Sequence, residues 1–145
     1  MMRAVKAMKQ KKLLGFLADQ DGGFQGVPVM FLGQESSAVL GPATFAMKFK
    51  APVVPVFAYR KPDLSGHVVE IGKPLYYKDT GNEDEDLYRL TEETVRVTEE
   101  FIKQHPDEWL WFQHRWNTKL HEIVDIDKKL KVREAVHATE ATKPE

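Results

Sequence analysis

Cysteine is absent, which excludes disulfides and thiolate metal sites and leaves the redox compartment open. No apolar run approaches the ~18–20 residues needed to span a bilayer. Met1–Lys12 has no apolar core of the kind that marks a secretory signal. A dominant charge sign is missing too. The 21 Lys and Arg against 22 Asp and Glu leave a net charge of −1, with no overall pull toward nucleic acid or anionic membrane. Internal repeats and a separate second domain are not visible. What is present is 145 residues, 42% hydrophobic and 30% charged, enough for one domain and too apolar for wholesale disorder.

The informative stretch runs from Leu13 to Arg60. Leu13–Ala18 reads as a buried strand delivering Asp19, Gln20 and Asp21 into a Gly22-Gly23 turn. Val27–Phe31 reads as a second strand, closed by Gly33. Gly41-Pro42 opens a helix, because proline's missing N–H costs nothing in a first turn. On that helix Ala43, Ala46 and Met47 share a packing face, with Lys48 and Lys50 toward water. Val53–Tyr59 reads as a third strand ending at Arg60, with Pro55 implying a bulge or an edge. Continuous apolar runs alternating with a helix predict an α/β fold, a mixed sheet flanked by helices. Ligands on such sheets gather where strands end, which makes Asp19 and Arg60 candidates for one site.

Further along, Asp63-Leu64-Ser65-Gly66 is a turn into His67–Ile71, a half-buried hairpin partner. Glu83-Asp84-Glu85-Asp86 complements the dipole of a helix whose stripe is Leu87, Leu90, Thr94, Val97 and Phe101. His105-Pro106 ends that helix. The block Trp109–Lys119 is dense in aromatics, either a clamp of Trp109, Trp111 and Trp116 over the sheet or a wall with Arg115 toward a substrate. Leu120–Val136 has a narrow apolar stripe (Leu120, Ile123, Val124, Leu130), and His137–Glu145 is expected to fray. At the other end MMRAVKAMKQKK carries five basic residues and no acid, the end of a surface helix or a basic patch for anionic lipid or an acidic acyl carrier.

The order ADQD, G-x-P-V-x-F-x-G, GPA-x-x-A, APVVP-x-F-x-x-R resembles the bacterial lipid A biosynthesis acyltransferases, the lauroyl and myristoyl transferases. Pro106-x-x-Trp109-Leu110-Trp111-x-x-x-Arg115-Trp116 resembles the block that closes those enzymes. The likeness covers Ala4–Lys119. It implies a glycerolipid-acyltransferase-like fold and transfer of a fatty acyl group from acyl carrier protein to a hydroxyl of a lipid A precursor. It also implies the cytoplasmic face of a bacterial inner membrane, with no metal or other cofactor. Such enzymes use a His-x4-Asp/Glu pair, histidine as base and carboxylate as its orienter. The residues five positions after His67, His105, His114, His121 and His137 are Gly72, Leu110, Lys119, Ile126 and Thr142, so none completes it. The expected organisation is therefore a C-terminal portion of the fold over 1–119, with a charged helical or disordered tail over 120–145. No catalytic residue is assigned, and the isolated chain is expected to be inactive. Gln113 stands in the family's histidine place and Asn117 in its lysine place, so no role passes to Gln113, His114 or Asn117.

The expected substrate-binding residues are Asp19, Gln20, Thr44, Arg60, Arg115 and Trp116. Each has a competing use. Asp19 and Asp21 either stabilise a turn, shape a polar site, or hold a divalent ion in a sugar or phosphoryl transferase. Thr44 sits at a helix start that either packs or receives an anion. Arg60 grips an anion or neutralises Asp19, Asp21 or Glu70. A non-catalytic module that self-associates, or that docks on a missing N-terminal half, is the remaining class.

Overall fold

Val27–Phe31 does form a strand, β1, in the computed structural model, which describes residues 2–142. Its partner β2 (Gln34–Ala38) lies antiparallel, with Val27 opposite Ala38 and Phe31 opposite Gln34. Leu32 and Gly33 connect them, both at positive φ (50° and 79°), as a two-residue hairpin turn requires. Leucine is a poor residue for that backbone. The Glu99 carboxylate accepts the Leu32 N–H and holds the turn in place.

The helix that opens at Gly41-Pro42 is α2 (Gly41–Phe49), burying Pro42, Ala43 and Ala46 and exposing Lys48 and Lys50. Beyond it β3 spans Val56–Arg60, shorter than the apolar run. Val53 instead makes one bridge to Leu75, with N–H···O distances of 2.9 and 2.8 Å. Pro55 lies between bridge and strand and contributes only its carbonyl, to Gly72 N–H at 2.9 Å. β4 (His67–Ile71) pairs antiparallel with β3, Val56 opposite Ile71 and Arg60 opposite His67.

The central beam is α3 (Glu83–Gln104), capped by the Asn82 side chain and followed by a 3-10 turn at Pro106–Glu108. Two sides of it are buried. Tyr88, Val95 and Ile102 meet Val27, Val29, Phe31, Ala38 and Trp109, while Leu90, with Leu87 and Val97, meets Ala43, Ala46 and Leu75. Burial and the Glu92 charge push the Tyr88 phenol well above its usual range, so it stays a neutral donor to the Pro28 carbonyl at 3.0 Å.

Three expectations need correction. Leu13–Ala18 is not a strand: Phe16 packs on Phe45 (centroids 5.6 Å) and over Gly41, drawing the run along α2 and leaving Leu13 and Leu17 in solvent. The sheet is not mixed, since the named strands form two separate antiparallel pairs among the described residues. Helices with small antiparallel sheets still make an α/β chain. Finally, the helix expected over Leu120–Val136 is a 3-10 turn at Leu120–Glu122 followed by α4 (Ile126–Ala141). Asp125 at φ 55° breaks the two apart. α4 packs on α3 and β1 with Val136 in the core. Ion pairs Lys128–Asp84 (2.6 Å) and Arg133–Glu35 (3.3 Å) and a His137–Glu92 hydrogen bond (2.8 Å) flank it. Of the stretch expected to fray, His137–Ala141 is helical, and 143–145 lie outside the described residues. The basic segment forms α1 (Met2–Lys9), which buries none of its side chains; Met1 also lies outside.

Candidate functional site

The Asp19–Asp21 turn is pinned to β2 by backbone. Gly22 N–H donates to the Ser37 carbonyl at 3.0 Å, and Asp21 bridges Ala38. Only glycine fits this approach, because a Cβ on Gly22 would lie 2.5 Å from the Ala38 carbonyl carbon. Both carboxylates then reach the aromatic block. Asp19 Oδ2 accepts from Trp109 Nε1 at 3.1 Å and from Gln113 Nε2 at 3.0 Å. Asp21 Oδ1 accepts from the Thr118 hydroxyl at 2.7 Å and Gly23 N–H at 2.6 Å, and its Oδ2 from Thr118 N–H at 2.9 Å. Burial alone would raise the Asp21 pKa. The Thr118 and Gly23 hydrogen bonds, with the Arg115 charge, outweigh it and hold the carboxyl below the usual carboxylate range.

Behind this turn lies Arg115, 1% exposed. Its guanidinium donates through Nη1 to the Ser36 hydroxyl and to the Ser37 carbonyl at 2.6 Å, and stands 4.4 Å over the Phe31 ring. Nε and Nη2 have no partner among the described residues. Burial lowers its pKa while the charges of Asp21, Asp19 and Glu99 raise it, and the net direction is down. Trp116 is half-buried, 5.7 Å from Phe31 between centroids, with its indole N–H 3.4 Å from the Phe31 carbonyl.

The structure thus brings Asp19, Asp21, Arg115 and Trp116 onto the β1–β2 hairpin, with Asp21 at Ala38, Arg115 at Ser36 and Ser37, and Trp116 at Phe31. Gln20 projects from the same turn into solvent. Arg60, at the end of β3, has its Nε 3.2 Å from Glu108 Oε1, so neither Asp19, Asp21 nor Glu70 is its partner. Thr44 is half-buried in the first turn of α2, its N–H bonded to the Leu40 carbonyl at 2.9 Å, apart from that network. Sequence reasoning missed Ser36, Ser37 and Thr118, although each holds a charged member of it. The one available signal was Gly33, whose two-residue turn would have implied a partner strand through the serines.

Donor sets for a metal are poor. The two oxygens of Asp21 already accept three protein hydrogens, and no group of three or more His, Asp or Glu converges among the described residues. The arrangement can instead hold a polar turn rigidly at the protein surface, with Gln20 and part of Asp19 presented outward.

The family profile described as bacterial lipid A biosynthesis acyltransferase matches residues 1–118. The chain belongs to that family. No curated protein matches it. The lipid A acyltransferase span includes the Asp19 turn, both hairpins and the aromatic block through Thr118, while α4 lies beyond it.

Proposed function

We propose that the chain serves the acceptor side of fatty acyl transfer in lipid A biosynthesis, at the cytoplasmic face of the inner membrane. The donor is an acyl carrier protein and the acceptor a hydroxyl on a phosphorylated lipid A precursor. The observation that carries this reading is the pair of hydrogen bonds from Trp109 and Gln113 to Asp19. They join two of the motifs on which the family likeness rests, the Asp19–Asp21 turn and the closing aromatic block. Asp19 and Gln20 shape that turn. Arg60, more than half exposed beside Glu108, is the accessible cation for an acceptor phosphate. Arg115 acts from inside, holding the strand pair against which the turn sits. Thr44 and Trp116 complete the expected set, Trp116 as a wall beside Phe31.

None of the five histidines has the orienting carboxylate at the required spacing, so the purified chain should give no acyl-carrier-dependent transfer. Binding tests the reading directly. A lipid A precursor in detergent should bind the chain, and Arg60→Gln should weaken binding about fivefold, the loss of one exposed charge-assisted contact. Absence of precursor binding overturns the proposal, and a carrier-dependent rate overturns the inactive assignment. The competing reading, a metal-dependent sugar or phosphoryl transferase, requires Mn²⁺ binding lost in Asp19→Ala; the engaged oxygens of Asp21 argue against it.

A further inference from the structure

We propose that the end of the molecule formed by α1, the Leu13–Leu17 run and the loop after Trp109 is a docking surface for anionic lipid. Arg3, Lys6, Lys9, Lys11 and Lys12 are all exposed, and no acidic residue precedes Asp19. Among the described residues none of these five cations is paired with a carboxylate. In a chain of net charge −1 this is marked segregation, and the balancing acids lie largely along α3. Cations held within a Debye length of an anionic surface each add attraction that salt removes.

The second observation is apolar. Leu13 is fully exposed, Leu17 is 72% exposed and Phe112 is 91% exposed. Trp111 donates its indole N–H to the Pro106 carbonyl at 2.7 Å and leaves half its surface in solvent. The Asp19 bonds to Trp109 and Gln113 bring the Leu17 segment and the 110–112 loop to the same end. Cations beside exposed leucines and an amphipathic ring are the composition of an interfacial anchor. An acidic protein would satisfy the cations, whereas a lipid surface also takes up the exposed Leu13, Leu17 and Phe112 without needing a shape-matched face. The lipid surface accounts for both.

This inference rests on the membrane-face part of the proposed function and not on acyl transfer, so its test needs no enzymatic rate. The full chain is floated with phosphatidylcholine vesicles, with and without phosphatidylglycerol. The expected result is binding only when phosphatidylglycerol is present, falling as salt is added. Replacing Lys6, Lys9, Lys11 and Lys12 by glutamine should weaken it by more than about tenfold. Leu17→Ser and Phe112→Ser should weaken it severalfold while the circular dichroism spectrum is unchanged. Tryptophan fluorescence should shift to the blue on binding, and the shift should shrink in Trp111→Phe. Binding that ignores both sets of variants overturns this surface and leaves the membrane-face reading standing. No binding at low salt overturns both. Vesicle binding absent while an acidic acyl carrier protein binds through the same lysines overturns the lipid assignment in favour of a protein partner.

Discussion

The two hairpins of this chain are held in opposite ways. β1–β2 is buried on both sides toward its Val27–Ala38 end, with Met30 and Glu35 exposed near the turn, and is fastened by side chains that reach across most of the sequence. Arg115 reaches Ser36 and the Ser37 carbonyl, Asp21 takes Thr118, and Asp19 takes Trp109 and Gln113. β3–β4 is fastened chiefly by rings on one face, with one exposed ion pair, Arg60–Glu108, at its end. Phe57 stacks on Phe101 at 4.2 Å, and Tyr59 stacks on His105 at 4.0 Å. Its other face, with Val56 opposite Ile71 and Ala58 opposite Val69, stands in solvent. The contrast teaches where rigidity resides. Buried polar networks fix one geometry because every alternative strands a donor or acceptor, whereas ring stacking on a single face permits local opening.

The largest effect should come from the network. Arg115→Ala takes one donor from the Ser36 hydroxyl and one from the Ser37 carbonyl, which keeps the Gly22 N–H, opens a cavity beside Phe31 and removes the buried charge from beside Asp21. Removing one buried, bonded charge of this kind costs about 3–5 kcal/mol, read as a drop in the urea midpoint. Arg115→Met sharpens the comparison. It fills much of the same volume and removes the two nitrogens that have no partner, so it should recover part of the loss. If Arg115→Ala leaves the midpoint unchanged, the network is not what holds this end.

Phe101→Ala should act on the other hairpin by about 2 kcal/mol, less than a full core truncation because Phe101 is half-buried. Amide exchange is the discriminating measurement. The β3 and β4 ladder amides should exchange faster, while those of β1 and β2 keep their protection. Equal acceleration in both pairs would show the hairpins to be one cooperative unit and dissolve the contrast.

That division also explains what the sequence disclosed. β1, α2, the β3–β4 hairpin and α3 carried local signals: apolar runs, Gly41-Pro42, the Asp63–Gly66 turn, and acids before a periodic stripe. Each was legible because neighbouring residues decide it. β2 was not, since Gln-Glu-Ser-Ser-Ala has little strand propensity and is stabilised from afar by Arg115 and the Asp19–Asp21 turn. Leu13–Ala18 failed for the converse reason. Its composition suits a strand, but no strand lies beside it, and Phe45 and Gly41 offered Phe16 better packing. At the site, the sequence suggested Asp19 beside Arg60, and the bonds that tie the Asp19 turn to Trp109 and Gln113 were not legible, since they join residues 90 and 94 apart. The burial of Arg115 was not legible either, because nothing in the residue's own neighbourhood distinguishes a substrate-facing arginine from one that braces two serines 78–79 residues away.

The smallest effect tests the hinge between the two blocks. Asp21→Asn keeps one acceptor oxygen and turns the other into a donor facing the Thr118 or Gly23 donors, at a cost of about 1 kcal/mol. The acid side of the stability profile carries the same information without mutation. Asp21 has its carboxyl pKa lowered in the fold, so the unfolded chain binds more protons wherever the two states differ. Its contribution is therefore complete above the ordinary carboxylate pKa and disappears as pH falls through the folded value. Urea midpoints taken downward from pH 6 should fall more steeply in the native chain than in Asp21→Asn once pH drops below about 4. Parallel curves would mean that Thr118 and Gly23 do not hold the ionised carboxylate in solution. The turn would then owe its position to the Gly22 approach to β2 and the Asp19 bonds to Trp109 and Gln113, and the polar half of the contrast between the hairpins would rest on Asp19 and Arg115.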